Sequence, residues 1–335
     1  MTNKYVSNVT FEAAADLLRK ANKIVVTTHA KPDGDAFGSV IALCEVLKRQ
    51  GTDVTALFMP PIPSGLVGIC GELELTEFND GDILPEADLY VVVDTGAWSQ
   101  VSPIREQLTP HLDNTLIIDH HTGGDILAAH FFIDSKAAAC CEIIAQFVDE
   151  LMAHVFEDPI VASALYVGIA TDTGWFRFSN TRPQTHELAA RLIAAGVDHA
   201  ALYERSEQTE RPQKLKLMIR ALDSLELLSD AKAAVMVLRK EDFIQTGALP
   251  VETERFVDIP QVVASVQVVV LICESLDGGA IRISFRSKPG ENAVNVATLA
   301  GEFGGGGHAR AAGAKSAADL DQVVASVKAA VIQNL

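Results

Sequence analysis

The stretch KIVVTTHAKPDGDAFGS (23–39) joins an apolar, β-branched run to a polar loop and then to a helix-forming segment. The first run predicts a buried strand, and the apolar spacing over 38–51 is typical of a helix that ends at a glycine. The loop between them carries His29, Asp33 and Asp35 at the carboxyl end of the predicted strand. Two interpretations are open at this point: an acidic polar turn, or the first part of a metal site whose other ligands lie further along the chain.

Three later runs resemble the first strand: DVTALFM (53–59), DLYVVVDTG (88–96) and TLIIDHH (115–121). They are largely apolar, which is typical of strands buried on both faces in a parallel sheet covered by helices. Helical patterns follow over 136–154 and 158–174. Several of the predicted strands end in Asp or His, and the ligands of open α/β sheets bind at that carboxyl edge.

The second half of the chain changes character after a helix at 182–198. Strands are predicted over 233–239, 262–275 and 280–287, followed by a helix over 292–303, a glycine-rich segment over 304–313 and a closing helix. We therefore predict an α/β fold in three parts: a parallel-sheet domain with helices on both faces over 1–198, a helical linker over 199–225, and a smaller α+β domain over 226–335.

The composition limits the classes of function. The chain has 335 residues, of which 48% are hydrophobic, so it can bury the cores of two domains of roughly 100–200 residues each. Its formal charge of −17 argues against a broad grip on long duplex nucleic acid, because such a grip needs a basic face. A small anionic ligand held by a few cationic groups remains compatible with this charge.

The cysteines and the hydropathy pattern indicate the compartment. The five cysteines are odd in number and contain no C-x-x-C pair, so they predict neither a disulfide framework nor a thiolate zinc site. No uninterrupted apolar stretch approaches the roughly 20 residues that span a bilayer. We expect a cytoplasmic protein that has no contact with a membrane.

Four segments carry acidic or imidazole side chains that would meet at one edge of the sheet: His29, Asp33, Asp35, Asp94, Asp119, His120, His121 and Asp172. Each segment alone has an ordinary explanation, since PDGD is a common turn and TDTG can cap a helix. Together they would require four independent coincidences. Unpaired carboxylates at one edge would repel one another, and oxygen ligands with a few imidazoles suit Mn²⁺ or Mg²⁺, so we favour a metal site.

The same segments carry a resemblance to a known family. HAKPDGDAFGS, VVVDTG, DHH and TDTG resemble, in this order, the four motifs of the DHH phosphoesterase family, and SFRS with GGGGHARAAG resembles its DHH-associated C-terminal domain. Within the family, the length and the segment TDTGWFRFSNT are most similar to the bifunctional oligoribonucleases and 3′-phosphoadenosine-5′-phosphate (pAp) phosphatases. The resemblance covers nearly the whole chain.

The resemblance implies two divalent metal ions, Mn²⁺ in the first place, with Mg²⁺ or Co²⁺ as alternatives. It assigns one ion to His29, Asp33 and Asp94, and the other to Asp35, Asp94, His120 and Asp172. Asp94 would therefore bridge the two. The resemblance further implies that Asp119 orients the His120 ring, and that His121 faces the phosphate, where it could protonate the leaving group.

A second group of residues is predicted to hold the substrate: Trp98, Arg286, Ser287, Gly305, Gly306, Gly307, His308 and Arg310. The glycines would let backbone N–H groups approach an anion, although a flexible linker is the alternative. Arg286 alternates with apolar residues in a strand and could project toward those glycines. For Arg310 a solvated side chain is the alternative, and Trp98 could stack on a base or be buried.

These expectations define the function predicted from the sequence. The protein would hydrolyse very short oligoribonucleotides (nanoRNA) to mononucleotides and dephosphorylate pAp to AMP, as a possible homodimer. Three alternatives stay open: a phosphodiesterase for cyclic or linear dinucleotides such as c-di-AMP, pApA or pGpG, a manganese pyrophosphatase, and a nucleotide-binding regulator without turnover. The GGGGH segment argues against the pyrophosphatase, and the full set of candidate ligands argues against the regulator.

Overall fold

The computed structural model describes residues 5–62, 65–290 and 293–335. The chain divides between Thr209 and Glu210 into two compact units. None of the helices in these described ranges combines the length and the apolar character needed to cross a bilayer. All five cysteines are buried free thiols, consistent with their role as small hydrophobic residues.

The first unit contains one sheet of six strands: β1 (Lys23–Thr27), β2 (Asp53–Phe58), β3 (Leu75–Glu77), β4 (Leu89–Val93), β5 (Thr115–Asp119) and β6 (His130–Ile133). Their order is β3-β2-β1-β4-β5-β6, and every pair is parallel. The strands therefore end at a common carboxyl edge. The chain progresses outward in opposite directions from β1 and β4, which makes their boundary the switch point where open α/β sheets bind ligands.

The described residues of this unit form the helices α1 (Phe11–Lys20), α2 (Gly34–Arg49), α3 (Arg105–Leu108), α4 (Cys140–Leu151), α5 (Pro159–Asp172), α6 (Pro183–Ala194) and α7 (His199–Glu207). Strand residues alternate between two apolar clusters, because Ile24 and Val26 pack with α2, α4 and α5 whereas Val25 packs with α3. Both faces of the sheet are therefore covered, as predicted. The α3 face relies on a single helical turn and flanking 3₁₀ helices.

Close packing of α2 on α5 brings two functional segments together. A Cβ atom at Gly34 would lie 2.3 Å from Thr171 Oγ1, and one at Gly38 would lie 2.2 Å from the Ala164 carbonyl oxygen. No real side chain fits at such distances, so the two backbones touch only because glycine stands at these positions. This contact places the start of α2 beside the end of α5.

The second unit contains the strands β7 (Glu226–Leu228), β8 (Ala233–Leu238), β9 (Val268–Cys273), β10 (Ile281–Ser287), β11 (Gly306–His308) and β12 (Ala311–Ser316), with the helices α8 (Pro212–Asp223), α9 (Lys240–Thr246), α10 (Val296–Gly301) and α11 (Leu320–Gln333). The strand order is β11-β12-β10-β9-β8-β7, antiparallel except for the parallel β8–β9 pair. Apolar clusters join α10 and α11 to one face and α8 and α9 to the other. The predicted fold class is confirmed.

Some predicted boundaries differ from the observed ones. The run predicted as a strand over 262–275 is a strand only from Val268, and the segment Phe256–Val262 before it is a 3₁₀ helix containing Pro260. A continuous apolar run does not by itself distinguish a buried strand from a buried turn. The helix predicted over 292–303 spans Val296–Gly301, and its first predicted residue, Asn292, lies outside the described residues. The predicted linker 199–225 contains the two helices α7 and α8, one on each side of the division between the units.

Candidate metal centre

The six predicted ligands come from four segments that meet at the carboxyl edge of the first sheet: His29, Asp33, Asp35, Asp94, His120 and Asp172. Three overlapping groups have ligand atoms within 4.8 Å of one another: His29 with Asp33 and Asp94, Asp35 with His120 and Asp172, and Asp94 with His120 and His121. The first two groups coincide with the two sets that the sequence predicts, apart from the shared Asp94. Asp94 belongs to two of the three groups.

Asp94 lies between the two predicted sets of ligands. Its Oδ2 is 3.6 Å from Nε2 of His29, and its Oδ1 is 3.3 Å from Nε2 of His120. The residue is almost fully buried, yet Oδ1 accepts no hydrogen bond from any described residue. Its φ of +60° is in the left-handed region, which costs a non-glycine residue about 1 kcal/mol. A strained, buried carboxylate with an unpaired oxygen is the arrangement expected of a cation ligand.

The two imidazoles present the same nitrogen to the carboxylates. His29 Nδ1 lies 3.1 Å from the carbonyl oxygen of Ala30, and His120 Nδ1 lies 3.3 Å from that of Ala137. With Nδ1 donating its proton to a carbonyl, the Nε2 lone pair is available to a cation. His120 Nε2 is 3.8 Å from carboxylate oxygens of both Asp35 and Asp172.

Asp33 and Asp35 show that the turn and the ligand interpretations of PDGD are compatible. Asp33 is the N-cap of α2, and its Oδ1 accepts hydrogen bonds from the backbone N–H groups of Asp35 and Ala36, both at 3.0 Å. Asp35 is fully buried, and its two oxygens accept the backbone N–H groups of Cys140 and Cys141 at 2.6 and 2.8 Å. These amides open α4, where the helix dipole favours a negative charge.

Asp172 is the last residue of α5, and the segment after it is held by two contacts. Asn180 Nδ2 donates to the carbonyl oxygens of Asp172 and Ala138 at 3.2 and 3.0 Å. Trp175 and Phe176 have left-handed φ angles of 58° and 64° and pack, partly buried, against the main core. The chain therefore changes direction directly after Asp172, the candidate ligand.

The electrostatics of the cluster call for a cation. Burial raises the pKa of Asp172 to about 6, and burial with the neighbouring Asp94 and Asp172 raises the pKa of Asp35 well above its usual range. Burial alone would lower the pKa of His29 and His120, but the nearby carboxylates, Asp94 foremost, raise these values to about 9 and about 10. Among the described residues, no Lys or Arg lies within 4.0 Å of the carboxylates of Asp35, Asp94 or Asp172. Carboxylates with a minority of imidazoles therefore fit hard divalent cations.

Asp119 is placed differently from the prediction. Its Oδ1 accepts the backbone N–H groups of His120 and His121 and lies 2.7 Å from Nδ1 of the His121 ring. The prediction that Asp119 orients the His120 ring is wrong. The turn after β5 places the His121 ring against the Asp119 carboxylate and points the His120 ring toward the carbonyl oxygen of Ala137. The His121 side chain is 53% exposed, and the hydrogen bond to Asp119 raises its pKa.

The other oxygen of Asp119 has a partner that the sequence analysis did not identify. Tyr5 donates its hydroxyl to Asp119 Oδ2 at 2.6 Å across 114 positions of sequence. No motif or periodicity links the two residues, so the contact is visible only in the folded chain.

Some of the predicted substrate residues line one cavity of the second unit. Arg286 and the glycines Gly306 and Gly307 line a cavity of about 440 Å³, together with Arg282 and Ser284 of the same face of β10. Arg286 Nε lies 3.2 Å from Asp258 Oδ1. The strict alternation of IRISFRS was a signal for Arg282 and Ser284 that the prediction did not use.

Other predicted substrate residues do not line this cavity. Ser287 is buried and donates its hydroxyl to the Ala309 carbonyl at 3.3 Å, while Arg310 Nη1 lies 3.5 Å from the Val294 carbonyl. His308 is exposed on β11. The glycine-rich segment forms a hairpin with β12, in which a Cβ at Gly305 would lie 2.2 Å from the Gly313 carbonyl oxygen. The predicted flexible-linker alternative is therefore wrong for Gly306–His308.

Trp98 does not offer a face for base stacking. It is only 9% exposed, within the apolar cluster that includes Val101 and Ile104, and the Arg105 guanidinium lies over its ring at 5.4 Å. The buried alternative for Trp98 is correct, because the ring completes the core beneath β4 and α3.

Comparisons with known proteins agree with this geometry. Residues 23–169 match the N-terminal domain of the DHH family, and residues 230–333 match the DHHA1 domain. The chain is 30% identical over 313 residues to the bifunctional oligoribonuclease and PAP phosphatase NrnA of Thermus thermophilus, covering 93% of this chain and 90% of that protein. This chain belongs to the DHH family. A second DHH relative, the protein of the same name from Bacillus subtilis, is 26% identical over 312 residues, covering 91% of this chain and 93% of that protein.

Two solved structures share the fold of this chain. An exopolyphosphatase-related protein from Bacteroides fragilis has a TM-score of 0.85 at 24% identity, covering 98% of both chains. RecJ from Thermus thermophilus, solved in complex with Mn²⁺, has a TM-score of 0.53 at 18% identity, covering 95% of this chain and 53% of that one. At these identities the likeness concerns the fold, which is that of DHH proteins.

Proposed function

We propose that this protein is a phosphoesterase, dependent on two divalent metal ions, that hydrolyses very short oligoribonucleotides to mononucleotides and pAp to AMP. The observation that carries the proposal is the position of Asp94, whose two oxygens approach imidazoles from different candidate ligand sets. The family and the names of the relatives from Thermus thermophilus and Bacillus subtilis support the choice of substrates.

The residues of the site divide into metal-holding and substrate-facing groups. His29, Asp33 and Asp94 would hold one ion, and Asp35, Asp94, His120 and Asp172 the other. When bound, two such ions supply a nucleophile at neutral pH and offset the charge that develops on the phosphoryl oxygens. The backbone N–H groups at the start of α4 hold both oxygens of the buried Asp35 side chain in position.

His121 is the residue proposed to act on the substrate. Asp119 accepts the Nδ1 proton and raises the pKa of His121, which favours the imidazolium form. In that form Nε2–H can donate a hydrogen bond to a phosphoryl oxygen or its proton to the leaving sugar oxygen. Its half-exposed side chain is accessible to a ligand, unlike the buried Asp94. His121 would thus contact the reacting phosphate while Asp119 acts through it.

The second unit is proposed to bind the remaining anionic part of the substrate. Arg282 and Arg286 line a cavity together with glycine backbone at Gly306 and Gly307, where N–H groups and guanidinium groups can meet a phosphate. This focused cationic region explains how a chain of net charge −17 could bind a short nucleotide.

The proposal is tested by a substrate panel. Purified protein with Mn²⁺ is incubated with pAp, a five-nucleotide RNA, pGpG, cyclic di-AMP, pyrophosphate and a long duplex RNA, and kcat/KM is compared. We expect pAp and the short RNA to be the preferred substrates, with no turnover of the duplex. The variant Asp94→Asn, prepared in parallel, controls for contaminating nucleases. Preferred hydrolysis of a cyclic dinucleotide or of pyrophosphate, or no hydrolysis at all, would contradict the proposal.

A further inference from the structure

The carboxylate of Asp119 is held at both of its oxygens. Oδ1 accepts hydrogen bonds from the His120 and His121 backbone and lies against Nδ1 of His121, whereas Oδ2 accepts the Tyr5 hydroxyl. Tyr5 is the only hydrogen-bond donor to Oδ2 among the described residues, and Asp119 is fully buried. Without the hydroxyl, the buried Oδ2 would lose its partner and the rotation of the carboxylate would be restrained only through Oδ1.

The ring of Tyr5 occupies a space that two glycines leave open. A Cβ atom at Gly96 would lie 1.9 Å from the Tyr5 hydroxyl oxygen, and one at Gly124 would lie 2.5 Å from Cε2 of the ring. The ring also meets Phe131 edge-to-face at a centroid distance of 5.9 Å. Burial raises the pKa of Tyr5, so the hydroxyl keeps its proton and acts as the donor to Asp119.

The segment that carries Tyr5 is fastened to the edge strand of the sheet. Asn8 donates its backbone N–H to the Phe131 carbonyl at 3.0 Å and accepts the Phe131 N–H on its side chain at 2.6 Å. Ser7 exchanges two further hydrogen bonds with Ile133 of β6. These contacts set the position of Tyr5 relative to the carboxyl edge of the sheet.

We propose that Tyr5 is a positioning residue, whose hydroxyl fixes the Asp119 carboxylate and, through it, the orientation of the His121 ring. The effect on turnover rests on the proposed function of His121, whereas the effect on the ring does not. In metal sites, removal of a residue that orients a ligand without touching the metal lowers metal affinity or activity by about 10–100-fold. We expect removal of the Tyr5 hydroxyl to lower activity by an amount near the lower end of this range.

The first test observes the His121 ring without any substrate. The protein is labelled with ¹⁵N-histidine and studied by NMR with Mg²⁺, and the Nδ1–H resonance of His121 is assigned by its absence in His121→Ala. We expect Tyr5→Phe, which keeps the ring and removes the hydroxyl, to shift or broaden this resonance. Tyr90→Phe is the matched control, because it removes a hydroxyl that donates to the Pro85 carbonyl at 3.0 Å, away from Asp119.

The second test measures turnover. Tyr5→Phe should lower kcat for pAp about tenfold with KM within about twofold, since the substrate is contacted by His121 and not by Tyr5. In the His121→Ala background the same change should cause no further loss, whereas a general loss of stability would lower kcat in both backgrounds. Gly124→Ala, which displaces the ring from its space, should reproduce the effect of Tyr5→Phe.

Three results would overturn the inference: an unchanged His121 resonance in Tyr5→Phe, an unchanged kcat, or an equal loss of kcat in the His121→Ala background. Failure of the proposed function is distinguishable from these results. In that case the wild-type protein would hydrolyse neither pAp nor short RNA, while the resonance would still decide whether Tyr5 orients His121 through Asp119.

Discussion

At the scale of single residues, Asp94 combines burial, a left-handed backbone and an unpaired oxygen. Desolvation of the charge and strain in the backbone both oppose folding. Without a metal ion the protonated imidazoles, His120 and His29 foremost, offset the desolvation and lower the pKa of Asp94. A buried carboxylate on a strained backbone is expected to have a function that outweighs these costs to stability. The sequence indicated Asp94 by its place at the end of the apolar run VVV, but neither the strain nor the unpaired oxygen is visible there.

We expect Asp94→Asn to lower metal affinity, turnover and the stability of the metal-free protein. Asparagine tolerates the left-handed backbone and keeps the size of the side chain, but removes the charge. Both metal affinity and turnover should fall at least about 100-fold. Mutation of residues that only orient the metal ligands already lowers metal affinity or activity by about 10–100-fold. The metal-free variant should unfold at a lower denaturant concentration than the wild type, because the protonated His29 and His120 rings lose the carboxylate that raises their pKa.

Mn²⁺ titration calorimetry and urea unfolding in EDTA measure these two effects. Asp88→Asn is the control, since Asp88 accepts backbone N–H groups from Asn22 and Lys23 at the opposite edge of the sheet. Retention of two Mn²⁺ ions by Asp94→Asn would refute the bridging role.

At the scale of elements, the site depends on how α2, α4 and α5 pack together. Gly38 touches the α5 backbone, and a Cβ at Gly168 of α5 would lie 2.2 Å from Cys141 Sγ at the start of α4. Cys141 in turn donates its N–H to Asp35. The sequence predicted these helices by their apolar spacing, but it could not indicate which glycines mark the contacts, since glycine also ends helices and forms turns.

Gly38→Ala should lower both stability and metal affinity. The added methyl group would lie 2.2 Å from the Ala164 carbonyl oxygen, so α2 and α5 must move apart, at a cost of about 1–3 kcal/mol. The separation should also displace Asp35 from Asp172. Urea unfolding followed by tryptophan fluorescence reports on the first unit, because both tryptophans, Trp98 and Trp175, lie there.

Gly123→Ala provides the matched control, because a Cβ at Gly123 would have no neighbour within 4 Å. We expect it to leave unfolding and Mn²⁺ affinity within the experimental error of the wild-type values. A Gly38→Ala protein as stable as this control would show that the α2–α5 contact can relax and does not restrain the site.

At the scale of the whole molecule, the proposed metal-binding groups and the proposed anion-binding groups belong to different compact units. The chain carries 44 acidic and 27 Lys and Arg residues, yet three arginines, Arg255, Arg282 and Arg286, line the cavity of the second unit. The overall charge thus disfavours long nucleic acid, whereas the local charge favours a small anion. This division predicts that the two functions can be impaired separately.

Arg286→Ala should weaken substrate binding without affecting the metal ions. A charge-assisted hydrogen bond to phosphate contributes about 1.5–3 kcal/mol, so KM for pAp should rise about tenfold or more. Mn²⁺ affinity should stay at the wild-type value. Steady-state kinetics and calorimetry check the two expectations, and an unchanged KM would exclude Arg286 from the binding site.

The control for this experiment is Arg239→Ala. Arg239 is also an arginine of the second unit, but it pairs with Asp321 and lines a different cavity. We expect this variant to keep the wild-type KM, so that a rise in Arg286→Ala alone reports on the site and not on the general loss of positive charge.

The sequence by itself determined the parallel sheet and the candidate ligands, because an apolar run that ends in Asp or His indicates locally both a buried strand and a polar group at its carboxyl end. The tertiary structure alone decided which ring Asp119 holds, that Tyr5 reaches Asp119, and that Trp98 is buried. These outcomes depend on the turn after β5 and on contacts between residues distant in sequence. Local patterns carry no information about such contacts, since they arise only when separate segments are packed side by side.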